Sequence, residues 1–283
     1  MTQTSPLVAQ VISEVAKRAQ SDSPFSLFLD FDGTLVPIAA DPSIPQLDGT
    51  TTELLRRLSR KPSCVVSIIS GRAIDDLYQR IGLDGLIYAG NHGLEIRGRD
   101  IEFVDSQAAG LRESLGQLSA SLAAKLRSIS GAFVEYKGLT ASVHFRQVAT
   151  GDLEHVADAV KHEVAMDSAS FRLNAGRKVL EIVPRTSWHK GAAARWINRH
   201  LHLSEHLSIY LGDDATDEDA FRTLTQAVTV KVGGSSLNGA KFQLPDPPAV
   251  HEFLAWMADF ELVPGTGMRV PESRTFATDD HQN

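Results

Sequence analysis

The 283-residue sequence predicts an α/β protein, a doubly wound parallel sheet with a smaller α+β module inserted into it. Three observations predict this. Apolar runs at 27–29, 64–69, 86–89, 206–211 and 227–232 alternate with amphipathic helical segments, the rhythm of parallel strands joined by crossover helices. Two of these runs end in paired aspartates, Asp30 with Asp32 and Asp213 with Asp214, at the edge where such sheets bind ligands. From about Ser106 the rhythm breaks into a hairpin and two helices and resumes near 185. The expected division is therefore a discontinuous core, 1–105 and 185–263, a module at 106–184, and a polar tail at 264–283 expected to be disordered.

Composition narrows the partners. A net charge of -7 speaks against nucleic acid or an anionic membrane surface, so an anionic substrate must be met by local positive groups. Cys64 is the only cysteine and sits in an apolar run, which excludes an internal disulfide and a thiolate zinc cluster and fits a reducing compartment. The first twenty residues lack the apolar stretch of a signal peptide, and no run is long enough to span a bilayer. A cytoplasmic protein is expected.

Taken in order, Leu7, Val8, Val11, Ile12 and Val15 fall at helical spacing and predict a helix over 6–20. Leu27-Phe28-Leu29 then feeds into Asp30-Phe31-Asp32-Gly33-Thr34. Strand alternation sends Asp30 and Asp32 one way and Phe31 into the core, and Gly33 allows a sharp turn. Paired carboxylates resist burial and require a cation, a proton or solvent, although for these residues alone an Asp-Gly turn that merely ends a strand is the better account. Pro37, Pro42 and Pro45 exclude regular structure from 35–47, leaving a loop or flap beside the aspartates. A helix over 53–59, a strand over 64–69 and a helix over 73–79 follow. Between the last two, Ser70-Gly71-Arg72 suits a phosphate at a helix start or a plain N-cap serine. A strand over 86–89 leads to the turn Gly90-Asn91-His92-Gly93 and a hairpin around Gly98.

In the module, a helix over 111–126 precedes strands over 132–137 and 140–146 joined by Gly138-Leu139. A helix over 153–164 and strands near 171 and over 178–183 complete it. Glu135, Lys137, His144 and Arg146 share one face of the hairpin, which a solvated sheet surface explains without function. Glu181, on an apolar strand, is harder to explain that way. Lys190 opens a helix reaching about His200, and the strand over 206–211 runs into Gly212-Asp213-Asp214-Ala215-Thr216-Asp217-Glu218. A helix N-terminus favours Asp217 and Glu218 but does not explain Asp213 directly after a buried strand. The run over 227–232 reads as the last strand and 250–260 as a closing helix.

The strand ends thus bring together Asp30, Asp32, Ser70, Lys190, Asp213 and Asp214, a set suited to metal-assisted phosphate chemistry. The pattern DxDGT, Ser, Lys and GDDxTDE resembles the haloacid dehalogenase superfamily of phosphohydrolases. Over most of 25–260 the chain is similar to the trehalose-6-phosphate phosphatases, through LFLDFDGTLVPI, SIISGR, AGNHGLE, VEYKGLTASVHFR, VLEIVPRTSWHKG and YLGDDATDEDAF. The resemblance implies a Rossmann-like core with a mobile cap at 106–184 and hydrolysis of trehalose 6-phosphate. It implies Asp30 as nucleophile, Asp32 as general acid and base, and Ser70 and Lys190 on the phosphoryl oxygens. Mg²⁺ would be held by Asp30, the Asp32 carbonyl and Asp213, with Asp214 and Asp217 assisting. Glu135, Lys137, His144, Arg146 and Glu181 from the cap, with Gly33, Arg72, Asn91 and His92 from the core, would bind substrate. Glu135, Lys137 and Glu181 are expected on the ring remote from the phosphate. A trehalose-6-phosphate synthase is the implied functional partner. Another sugar phosphate, such as glucosylglycerol phosphate, mannosyl-3-phosphoglycerate or sucrose phosphate, keeps the chemistry. A non-catalytic sensor would be free to lose Asp30, Asp32 or Asp213, and all three are present.

Overall fold

The apolar runs assemble into one eight-stranded sheet, in a computed structural model that describes residues 4–19, 23–39, 46–176, 178–234 and 236–261. Helix α1 (Pro6–Arg18) precedes β1 (Phe25–Leu29), and α2 (Gly49–Ser59), β2 (Cys64–Ile69), α3 (Ile74–Ile81) and β3 (Ile87–Gly90) follow. Helix α2 starts four residues before the expected Glu53 because the Asp48 carboxylate caps it, accepting from Thr51 N at 2.7 Å. The hairpin is β4 (Glu95–Gly98) with β5 (Ile101–Val104), both antiparallel additions at one edge.

The second sheet has four antiparallel strands in the order β6-β7-β9-β8. A short α4 (Ser106–Gly110) and α5 (Arg112–Leu126) lead into β6 (Phe133–Tyr136) and β7 (Ala141–His144), followed by α6 (Leu153–Ala165), β8 (Phe171–Gly176) and β9 (Val179–Pro184). One face of this sheet packs its apolar residues, Val143 and Ile182 among them, against Leu115, Leu122, Val156 and Val160 of α5 and α6. The other face carries the polar set and forms a cap over the first sheet.

The chain returns through α7 (Lys190–His200), β10 (Ser208–Gly212), α8 (Ala215–Thr223) and β11 (Val228–Val232). The expectation that β11 is the last strand does not hold, because β12 (Phe242–Leu244) pairs parallel to it at the sheet edge before α9 (Pro247–Asp259). Three residues are too few to show a strand period. The strand order β12-β11-β10-β1-β2-β3-β4-β5, parallel through its first six members, is the doubly wound sheet the sequence predicts. Alternation along β1 splits its side chains: Leu27 and Leu29 meet α1, α2, α3 and α9, while Phe28 meets α7 and α8.

Of the proline-rich segment, 40–45 lie outside the described residues, and the described flanks hold an isolated bridge between Asp32 and Val36. The expected disordered tail, 264–283, also lies outside them. Cys64 is buried, and burial pushes its thiol up to about 12, which makes it an inert core group. Among the described residues no helix is long and apolar enough to cross a membrane.

One polar thread crosses the apolar interface under α7. Ser26 on β1 donates to Asn198 Oδ1 at 2.6 Å, and Asn198 Nδ2 donates to Ser208 on β10 at 2.7 Å. All three are buried, so the thread fixes α7 in register over the two central strands. Asn198→Leu removes both partners at once and is expected to lower the unfolding free energy by about 1–3 kcal/mol in urea titrations. An unchanged midpoint would show that the two hydroxyls find other partners.

Candidate active site at the carboxyl edge of the sheet

Asp30 directly follows β1 and Lys190 opens α7, and the ends of these elements meet below the cap. Lys190 is 1% exposed, with Nζ 2.8 Å from Asp30 Oδ1 and 2.8 Å from Asp217 Oδ1. Gly191 makes the approach of α7 to α8 close enough for this, since a Cβ there would lie 2.8 Å from Asp219 O and from Thr223. Asp214 and Asp217 form a capping box that starts α8, and Tyr210 OH on β10 donates to Asp217 Oδ1 at 2.8 Å.

Burial disfavours the lysine charge, yet Asp214, Asp217 and Asp30 outweigh it and hold the ammonium above its ordinary pKa. For Asp30 burial dominates and pushes the carboxyl well up; Lys190 opposes this, while Asp217 and Asp213 add to it. Asp213 is raised to about 7 by burial and by Asp214 and Asp217. Among the described residues no hydrogen-bond donor reaches its carboxylate. Gly33, at φ 86°, leaves the space in which that carboxylate sits, 2.2 Å from where a Cβ would be.

Asp30, Asp213 and Asp217 offer oxygens within 4.8 Å of one another. An anionic, oxygen-only cluster with one uncompensated carboxylate fits a hard divalent cation. Asp217 has both oxygens occupied, Oδ1 by Lys190 and Tyr210 and Oδ2 by Asp214 N, so Asp30 and Asp213 are the carboxylates left to face an ion.

Asp32 projects beside Asp30 and is gripped by Arg72, whose Nε and Nη2 donate to its two oxygens at 2.6 and 2.8 Å. Arg72 Nη1 also donates to Asp76 at 2.9 Å, and the guanidinium lies over the Phe31 ring. These contacts make Arg72 an orienting fork on Asp32. Ser70 is buried and its Oγ accepts from Arg72 N at 3.3 Å; α3 begins only at Ile74, with Ala73 at its N-cap, so Ser70 does not cap the helix.

The polar face of the cap sheet forms the roof. Registers across the four strands align Glu135, Ser142, Glu181 and Asn174 in one row and Phe133, His144, Val179 and Gly176 in the next. Lys137 Nζ donates to Gly71 O at 2.7 Å and lies 3.4 Å from Glu181 Oε1. His92 Nε2 lies 3.0 Å from Glu181 Oε2, off the hydrogen-bonding direction. Burial resists the Glu181 charge, but His92 and Lys137 overcome it and hold the carboxyl far below its usual range. Glu135 is lowered chiefly by its hydrogen bond with His144 Nε2, at 2.8 Å. Glu181 and Lys137 thus stand beside Gly71, next to Ser70, at the inner end of the roof.

Roof and floor enclose a cleft of about 870 Å³. It is lined by Asp30, Asp32, Ser70, Arg72, His92, Glu135, Lys137, His144, Arg146, Glu181, Lys190, Asp213 and Asp214. Three expected residues are not on its wall. Gly33 N donates to Val36 O and its Cα side backs Asp213. Asn91 is fully buried, giving Nδ2 to Glu95 and to Lys137 O and accepting from Thr140 Oγ1, which pins the cap to the core. Asp217 lies under the floor. The left-handed backbone at Asn91 (φ 50°) and His92 (φ 60°) is strained and turns the pair to opposite tasks, one inward and one onto the cleft.

Residues 28–247 match the sequence profile of the trehalose-phosphatase family. The chain belongs to that family. It is 37% identical over 266 residues to an uncharacterized glycosyl hydrolase of Mycobacterium tuberculosis, covering 90% of this chain and 20% of that one. A trehalose-phosphate phosphatase of Mycobacterium avium is 35% identical over 246 residues, covering 83% and 62%. The chain therefore spans less than two thirds of either relative. A solved structure of a trehalose-6-phosphate phosphatase related protein shares the fold, with a TM-score of 0.74 at 22% identity over 83% of this chain and 97% of that one.

Sequence reasoning missed several residues of this trehalose-phosphatase family site. Lys231 is buried on β11 and its Nζ donates to the carbonyl of Asp213, holding the acidic loop. A lone lysine inside Val228-Thr229-Val230-Lys231-Val232 is the signal that marks it. Tyr210 offers a weaker signal, since a tyrosine in a buried strand reads as core. Asn174 and Phe133 line the cleft but gave no periodic signal of their own.

Asp213 yields a measurable linkage. Its folded pKa of about 7 lies above its ordinary 3.8, so between those limits the folded state binds more protons than the unfolded state and stability falls as pH rises. In chelator, Asp213→Asn should unfold at a higher temperature than the native protein at pH 8, with the gap closing towards pH 4. Adding a divalent ion should stabilise the native protein alone. A pH-independent gap in differential scanning would contradict the placement of this carboxylate.

Proposed function

We propose that the chain hydrolyses trehalose 6-phosphate to trehalose and phosphate in the cytoplasm, with Mg²⁺ as its cation. The observation that carries this reading is the opposition of two surfaces across one cleft. The floor offers a buried carboxylate beside a buried ammonium, as phosphoryl transfer requires, and the roof offers charged hydrogen-bonding groups, as sugar hydroxyls require. Family membership supports the same substrate.

Asp30 attacks phosphorus as the bond to the sugar oxygen breaks, and Asp32 gives that oxygen its proton. The aspartyl-phosphate on Asp30 is then attacked by a water that loses its proton to Asp32, releasing phosphate and restoring both carboxyls. Arg72 keeps Asp32 aimed during both steps. Lys190 faces the charge on the equatorial phosphoryl oxygens, and the Ser70 hydroxyl donates to one of them. Asp30, Asp213 and the Asp32 carbonyl, with Asp214 at hand, would hold Mg²⁺, which would supply further charge neutralisation of the phosphate. Residues 106–184 act as the cap, where Glu135, Lys137, His144, Arg146 and Glu181 bind hydroxyls, with His92 from the core. A trehalose-6-phosphate synthase, whose product this reaction consumes, is the functional partner in this proposal.

A phosphate-release screen tests the reading directly. Trehalose 6-phosphate should be the best substrate in a panel with glucose 6-phosphate, glucosylglycerol phosphate, mannosyl-3-phosphoglycerate and sucrose 6-phosphate, and chelator should abolish turnover. Asp30→Asn should be inactive with an unchanged circular dichroism spectrum. Near-normal release by that variant would exclude the covalent route.

Glu181→Ala isolates the roof. Losing a charged hydrogen-bonding group costs about 1.5–3 kcal/mol, so kcat/KM for trehalose 6-phosphate should fall about ten-fold to more than a hundred-fold. Hydrolysis of p-nitrophenyl phosphate, which has no sugar, should change little. Equal loss on both substrates would assign Glu181 to the chemistry or the fold.

A further inference from the structure

We infer that Phe133 is a specificity-determining residue, its ring forming with His144 a platform for the second ring of a two-ring sugar phosphate. The inference rests on the sugar-phosphate reading above and adds to it a residue outside the motifs that carried the family resemblance to the sugar.

Phe133 is out of keeping with its surroundings. It shares the polar face of β6 with Glu135 yet is 49% exposed, and it is the one Phe, Tyr or Trp among the described residues lining the cleft. Isolated exposed apolar residues need no explanation on an outer surface. On the wall of a cleft whose neighbouring row is Glu135, Ser142, Glu181 and Asn174, an uncovered aromatic ring has a cost that a ligand would remove.

Its ring is also held in place. Phe133 stacks on His144 with centroids 4.4 Å apart and planes 13° from parallel, and His144 is fixed in turn by Glu135 at 2.8 Å. The pair therefore presents a flat, pre-oriented surface beside a carboxylate. Sugar rings have apolar C–H faces and hydroxyl edges, and this combination meets both at once.

Position along the cap gives the assignment to the second ring. Of the two rows, that of Glu135 and Glu181 lies nearer the core: Glu181 touches His92, and Lys137, the next residue on this face, reaches Gly71. The row of Phe133 and His144 is the next on this face, about 7 Å further along the strands. A sugar whose phosphate sits on Asp30 places its first ring under the inner row. A second ring, if present, reaches the outer row, and a one-ring substrate does not.

The test compares Phe133→Ala and Phe133→Tyr with the native protein on trehalose 6-phosphate, sucrose 6-phosphate, glucose 6-phosphate and p-nitrophenyl phosphate. Phe133→Ala should lower kcat/KM about three- to tenfold on the preferred two-ring phosphate, mainly through KM, the size of one aromatic contact. Phe133→Tyr should restore it, and the one-ring substrates should stay within about twofold. Equal losses on one-ring and two-ring substrates, or no loss on either, would overturn the platform. So would a native protein that turns over one-ring and two-ring phosphates equally well. A native protein that prefers sucrose 6-phosphate would overturn the trehalose reading, while a Phe133→Ala loss on that substrate would still support the platform.

Discussion

A lysine ammonium buried among carboxylates is the interaction on which the rest of the structure depends. Removing such an ion from water costs several kcal/mol, and only close opposite charges with satisfied hydrogen bonds offset that. Lys190 has them in Asp30 and Asp217, each at 2.8 Å, and Tyr210 completes the shell around Asp217. Remove the ammonium and the buried Asp30 and Asp217 lose the cation between them, with only Tyr210 OH and Asp214 N left on Asp217. The elements around it are arranged to prevent such a displacement. Asn198 fixes α7 over β1 and β10, Gly191 lets α7 close on α8, and the capping box holds Asp217 at the start of α8.

The floor is therefore nearly complete in itself, and its one uncompensated group is Asp213. Its position depends on what lies behind it: Gly33 makes room for the carboxylate, and Lys231 secures the backbone of the loop through the Asp213 carbonyl. Burial, Asp214 and Asp217 raise this carboxylate to about 7, and a divalent ion placed against it would oppose that shift. Stability and metal affinity are in this way two readings of one electrostatic conflict.

The doubly wound sheet was legible in the sequence because its strands are continuous apolar runs and its helices have clear apolar stripes. Most of the floor was legible because Asp30, Asp32, Ser70, Lys190, Asp213 and Asp214 sit at strand ends or a helix start, where alternation and chain direction determine where a side chain points. Less was legible wherever contact comes from distant parts of the chain. Nothing around Asn91 tells that Thr140 and Lys137, almost fifty positions on, would take up its amide and leave His92 alone to face the cleft. The sequence around Arg72 gives no sign that Asp32 and Asp76 take up its guanidinium from either side. The strand β12 escaped because three residues carry no period, and the inner position of Glu181 escaped because strand alternation gives the face of a residue but not its distance from the core.

The roof obeys a different rule from the floor. Each of its main acidic groups already has a partner: Glu181 has His92 and Lys137, and Glu135 has His144. Sugar hydroxyls therefore exchange one set of hydrogen bonds for another, and the net gain per contact is small because the bonds made and the bonds broken are of similar strength. Charged readers of this kind reject a wrong sugar, which breaks the pairs without replacing them, more strongly than they attract a right one. Attraction has to come from surface that has no partner before binding. On this roof the exposed ring of Phe133 meets that condition, because covering it removes apolar area from water without first breaking a hydrogen bond.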